Sequence, residues 1–273
     1  MKFAMCNELF DDLEFEPFCQ LVAGLGYQGV EIAPFTLGER IDAVTPSRRR
    51  ELRAAARGAG VEICGLHWLL AHTEGFHLTT DDRATRERTG EYLRQLAQAC
   101  HDLGGDVMVF GSPGQRSLED GVPRDRALDH ATEVFQSVVP TLSDLGVRLC
   151  IEPLAPVETD FVTTCAEGAE LVARVAHPSF GLHLDVKAMA SEDTPIPDLI
   201  REHGATAMHF HANDANLRGP GFGDTDFEPI FAALCESGYD GWVSVEVFDP
   251  KPGMAEMAEQ SLSYMQRCLP SAG

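Results

Sequence analysis

The chain has 273 residues, 44% hydrophobic and 23% charged, which supplies a large core and a charged content near the ~25% of ordinary globular proteins. Its formal charge of −22 repels polyanions, and its one dense basic run, Arg48, Arg49 and Arg50, reads as the exposed face of a helix start, so no nucleic-acid partner is expected. No stretch approaches the ~18 apolar residues of a membrane span, and MKFAMCNELFDD is too polar for a signal peptide.

The punctuation is regular: an amphipathic helical pattern closes on glycine, and a β-rich run follows. After KFAMCN at the start, Gly26 precedes GVEIAPF, Gly60 precedes VEICGLHW, and Gly104 and Gly105 precede DVMVFGS. Gly146 then precedes VRLCIEP, Gly204 precedes ATAMHFH and Gly238 precedes GWVSVEVF, while His177 and Pro178 replace glycine before FGLHLD. Glycine suits the left-handed position just past a helix because it has no Cβ to clash there. Helix starts are marked by Thr45 before Pro46 and by capping-box spacing at Thr164/Glu167 and Thr225/Glu228, and Pro140 is expected to kink the helix that contains it. Eight cysteines without a CxxC pair read as buried thiols in a reducing cytoplasm.

Eight strand and eight helix patterns in alternation imply a parallel sheet. His183, Asp185 and Lys187 alternate with Leu182, Leu184 and Val186; His209, His211 and Asn213 alternate likewise, as do Ser244 and Glu246. An open sheet covered by helices on both faces needs strands that are apolar throughout, whereas a barrel turns one face inward toward a polar site. The expected architecture is therefore a single (β/α)8 TIM barrel across residues 1–273, with its long connections after the strand ends, on the functional face.

Glu152, Asp185, His211 and Glu246 each end a strand run: RLCIE, LHLD, MHFH and WVSVE. Three carboxylates and one imidazole form a mostly hard-oxygen donor set, favouring Mn²⁺, with Mg²⁺ or Co²⁺ as further candidates. Such an ion stabilises the enediolate formed when carbon next to a carbonyl loses its proton. Glu152 and Glu246 come from strands separated by two others and form a candidate acid/base pair approaching a substrate from opposite faces.

IEPLAPVETDF, HLDVKAM, HFHANDANLRGPGFGD and GYDGWVSVEVF resemble the ketose 3-epimerases of the D-tagatose/D-psicose type, within the xylose isomerase-like superfamily of sugar isomerases and epimerases. The resemblance implies metal binding by Glu152, Asp185, His211 and Glu246, acid/base roles for the two glutamates, and substrate binding by Glu158. It implies a small-molecule sugar substrate and leaves open a homo-oligomer, for which no interface is legible. The pattern departs at Ala188, where those epimerases carry a histidine that grips the sugar, and at Leu217, where they carry an arginine. Lys187 and Arg218 are the nearest replacements. Phe248 matches an apolar substrate contact.

Other residues carry two readings. His67 and Trp68 end a strand and either contact a sugar or pack the core; His183 and His209 either orient metal ligands or fill the barrel. Glu31 needs a partner if it points inward. The leading reading is a cytoplasmic, metal-dependent sugar isomerase or epimerase. The alternative is a lyase or dehydratase acting on a 3-keto-glycoside or inosose. An apurinic endonuclease shares the barrel but needs more histidine ligands and a DNA groove, which the charge disfavours.

Overall fold

Period-two alternation in the strands and a 3.6-residue period in the helices are satisfied together when the sheet closes on itself. The computed structural model describes residues 1–10 and 12–270. Strands β1 (Lys2–Cys6), β2 (Gly29–Ile32), β3 (Glu62–Leu66), β4 (Val107–Phe110), β5 (Arg148–Ile151), β6 (Phe180–Asp185), β7 (Ala207–Ala212) and β8 (Trp242–Val245) form a closed barrel in sequence order. Neighbours run parallel, and β8 closes against β1 with Met5 opposite Val245. The helices outside are α1 (Phe15–Leu25), α2 (Pro46–Ala59), α3 (Arg83–Leu103), α4 (Arg124–Leu145), α5 (Cys165–Val175), α6 (Val186–Met189), α7 (Ile196–His203), α8 (Phe227–Glu236) and α9 (Met254–Cys268).

The core lies between the barrel wall and these helices: Leu93, Leu96 and Cys100 of α3 and Phe135, Val138 and Leu142 of α4 are buried, as their spacing predicts. The barrel interior is polar instead, with Glu31, His183, His209, His211 and Ser244 fully buried. Close approach between β3 and β4 requires glycine at 65, where a Cβ would overlap the Val107 carbonyl.

Several local expectations are corrected. Gly26, Gly60, Gly104, Gly146 and Gly238 have positive φ, but Gly204 does not, because α7 continues into a 3₁₀ turn; glycine there accommodates Ser237, which a Cβ would approach to 2.8 Å. Thr45 and Thr164 cap α2 and α5, whereas α8 is capped by Asp226 rather than Thr225, its carboxylate accepting from the Glu228 N–H at 3.0 Å. Pro140 lies inside α4, as the sequence places it. Arg49 is buried, on the face of α2 turned toward α3, with Asp102 at 3.1 Å and the Ile41 carbonyl at 3.1 Å. The eight cysteines are unbridged, and seven are buried; Cys235 is exposed, on the outer side of α8.

Candidate active site

The strand ends deliver their side chains to one end of the barrel, where a cavity of about 360 Å³ is lined by Trp68, Glu152, Glu158, Lys187, Glu246 and Phe248 among others. Glu152 follows β5 and Glu246 follows β8, while Asp185 ends β6 and His211 lies in β7 opposite it. Gly111 keeps space beside Glu152, since a Cβ there would collide with Oε2.

Three members of the quartet, Asp185, Glu246 and His211, are held from behind. The Asp185 carboxylate accepts from Asn213 Nδ2 at 2.6 Å and from the Ala188 N–H at 2.7 Å. The strand therefore stops at Asp185, which becomes the cap of α6. Glu246 Oε1 accepts from the Trp68 indole at 2.7 Å and lies 3.2 Å from His67 Nδ1. His67 Nε2 is in turn 3.2 Å from Glu8, so this imidazole sits between two buried carboxylates. His211 Nε2 lies 3.3 Å from both oxygens of Glu31, which also lies 2.7 Å from His209 Nε2. A carboxylate on one ring nitrogen of a histidine fixes the tautomer and leaves the other nitrogen available to a metal.

His211 Nδ1 and Glu246 Oε2 are 3.2 Å apart yet out of hydrogen-bond alignment, and neither has a hydrogen-bond partner among the described residues. Burial and the charges of Glu246 and Asp185 push Glu152 up to about 8; burial and Glu246 push Asp185 up to about 6. Burial opposes ionisation of Glu246 too, but the charge of His211 and the contacts from His211 and His67 hold it well below the usual carboxylate range. Burial would lower His67, yet Glu8 and Glu246 raise it to about 10. Crowded carboxylates reluctant to ionise, beside an unpartnered imidazole nitrogen, are a donor set that fits a divalent cation. Ligand atoms from Glu152, Asp185 and His211, with His183, lie within 4.8 Å of one another.

Residues 19–268 match the xylose isomerase-like TIM barrel family. The chain belongs to that family. Its sequence is 29% identical, over 244 residues, to a D-psicose 3-epimerase of Agrobacterium fabrum (strain C58 / ATCC 33970), covering 86% of this chain and 80% of that one. A solved D-psicose 3-epimerase, determined in the presence of D-fructose, superposes with a TM-score of 0.87 at 22% identity, covering 98% of this chain and 99% of that one. A 3-keto-D-glucoside 4-epimerase from E. coli superposes with a TM-score of 0.85 at 17% identity, over 98% and 100% of the two chains.

Within this xylose isomerase-like barrel the residues expected from the sequence fall into three places. Trp68, Glu158, Lys187 and Phe248 join Glu152 and Glu246 around the cavity. Lys187 arrives there on the α6 turn rather than by continued strand alternation, its ammonium 2.9 Å from Glu158 and 4.2 Å from the centre of the Phe248 ring. Trp68 and Phe248 stack with centroids 6.1 Å apart. His67 is fully buried behind Glu246, and Arg218 turns away to Asp249 at 3.0 Å and is not among the residues around the cavity.

Glu8 and Arg116 were not anticipated. Arg116 is fully buried and donates to the carbonyls of Glu152 at 2.6 Å and Val162 at 2.9 Å, closing the loop that carries Glu158. The Leu154 N–H also donates to the Val162 carbonyl, at 3.2 Å. Glu31, expected to need a partner if it points inward, does point inward and meets His209 and His211.

Proposed function

We propose that the chain is a cytoplasmic, divalent-metal-dependent epimerase of a keto-sugar, exchanging a proton on the carbon beside the carbonyl through an enediolate. The observation that carries this reading is that two buried carboxylates, Glu152 and Glu246, line one cavity from strands separated by two others, beside an unsatisfied donor set. Likeness to D-psicose 3-epimerases supports the reaction class. Eight unbridged thiols fit a reducing compartment.

Glu152, Asp185, His211 and Glu246 would hold the ion, with Mn²⁺ first and Mg²⁺ or Co²⁺ next. Bound there, it supplies Lewis-acid polarisation of the substrate carbonyl. The protein's own groups do the rest. Glu246, oriented by Trp68 and His67, takes the proton on one side, and Glu152 returns one on the other; the roles reverse in the back reaction. Lys187 and Glu158 bind hydroxyls where Ala188 leaves no histidine. Trp68 and Phe248 cover an apolar sugar face and keep water from the carbanion-like intermediate.

The test is incubation with Mn²⁺ and a panel of ketohexoses, inososes and 3-keto-glycosides, with products resolved by NMR. Appearance of an epimer supports the reading; release of water or an aglycone without any epimer overturns it in favour of elimination.

A further inference from the structure

The four expected donors leave one buried histidine unexplained. His183 is fully buried on β6, two residues before Asp185 and on the same inward face. Neither of its ring nitrogens has a hydrogen-bond partner among the described residues. Its neighbour in register, His209, is differently placed: Nε2 lies 2.7 Å from Glu31 and 3.3 Å from the Ser244 hydroxyl. A histidine serving only as filler would be expected to find such partners, because an imidazole carries both a donor and an acceptor that are costly to bury unmet. The His183 ring instead packs edge-on to His211, with centroids 4.2 Å apart, and offers a nitrogen within 4.8 Å of ligand atoms of Glu152, Asp185 and His211. Donors bound at ~2.0–2.2 Å around one ion lie at most ~4.4 Å apart, so atoms that already lie within 4.8 Å of one another need only small shifts to share an ion.

We infer that His183 is a further ligand of the divalent cation, adding a second imidazole to the centre. This rests on the metal reading of the proposed function and deepens it. A second nitrogen moves the donor set away from Mg²⁺, which prefers oxygen and water, and toward Mn²⁺ and Co²⁺. The chain therefore discriminates Co²⁺ from Mg²⁺ more strongly than a one-histidine site does.

Electron spin-echo envelope modulation on the Mn²⁺-loaded full chain counts coordinated imidazole nitrogens directly and needs no turnover. The expected count is two in the natural protein, one in His183→Gln and two in His209→Gln. Removing even an outer partner of a metal ligand weakens binding by about 10–100-fold, so His183→Gln raises the calorimetric Kd for Mn²⁺ at least ~10-fold and lowers the ratio of Co²⁺ to Mg²⁺ affinity. A single nitrogen in the natural protein overturns the inference while leaving a metal-dependent epimerase standing, and this holds even when His183→Gln does not fold. Failure of the natural protein to bind Mn²⁺ at all overturns the inference and the metal reading together.

Discussion

Removing the metal should make the barrel's stability depend on pH in a direction opposite to that of an ordinary salt-bridged carboxylate. Burial and neighbouring carboxylates raise Glu152 from 4.5 to about 8 in the folded, metal-free chain. A folded pKa above the unfolded one gives stability that is present below pH 4.5 and lost as pH rises through 8. At 1.36 kcal/mol per unit the upper limit of that loss is about 5 kcal/mol. Asp185, raised to about 6, loses stability in the same sense at lower pH. His67, raised to about 10 by Glu8 and Glu246, adds a further loss above pH 6.5. With melting temperature moving by ~2–4 °C per kcal/mol in a chain of this size, the chelated protein should melt on the order of 10 °C lower at pH 8 than at pH 5. Scanning calorimetry with EDTA and with saturating Mn²⁺ reads the effect, and Glu152→Gln isolates it from general charge repulsion. The metal-bound protein and metal-free Glu152→Gln should both show flatter profiles. Metal-free protein whose stability holds or increases from pH 5 to 8, or a Glu152→Gln profile as steep as the parent's, refutes the reasoning.

Three substitutions probe the supports. Glu31→Gln breaks a fully buried carboxylate contact to His209 and His211; it should cost about 3–5 kcal/mol in denaturant unfolding and weaken metal binding by about 10–100-fold in calorimetry. Lys187→Met removes the cation paired with Glu158; loss of a charged hydrogen bond worth about 1.5–3 kcal/mol should lower kcat/KM roughly 10–100-fold, mostly through KM, with the Kd for Mn²⁺ within about threefold of the parent's. Gly111→Ala places a methyl against Glu152 Oε2; kcat should fall at least ~10-fold while the melting temperature moves little, as assayed by turnover and calorimetry together.

The barrel was legible because both of its periodicities are local. Leu182, Leu184 and Val186 against His183 and Asp185 state which face is inward, and glycine past most of the helices states where the next strand begins. The quartet was legible because each member ends such a run. What sequence reasoning missed depends on tertiary contacts. Glu8 follows β1 and meets His67, which follows β3, because β2 pairs with both strands. Arg116 lies in a loop with no periodicity, and its partners are the backbone carbonyls of Glu152 and Val162, which leave no trace in side-chain pattern. Lys187 was expected at the cavity through strand alternation; it reaches the cavity because Asp185 caps a helical turn immediately before it. Arg218, chosen by its nearness to an aligned position, follows Leu217 in a left-handed conformation and pairs with Asp249.

Glu246 and Glu152 are proposed to transfer a proton beside a carbonyl at a metal site. The most direct test is turnover of a keto-sugar in D₂O with Mn²⁺, reading deuterium on the carbon next to the carbonyl by mass spectrometry and NMR. One deuterium should enter per epimerisation and vanish both with EDTA and in Glu246→Gln. Exchange that persists without metal, or that survives Glu246→Gln, would contradict the account.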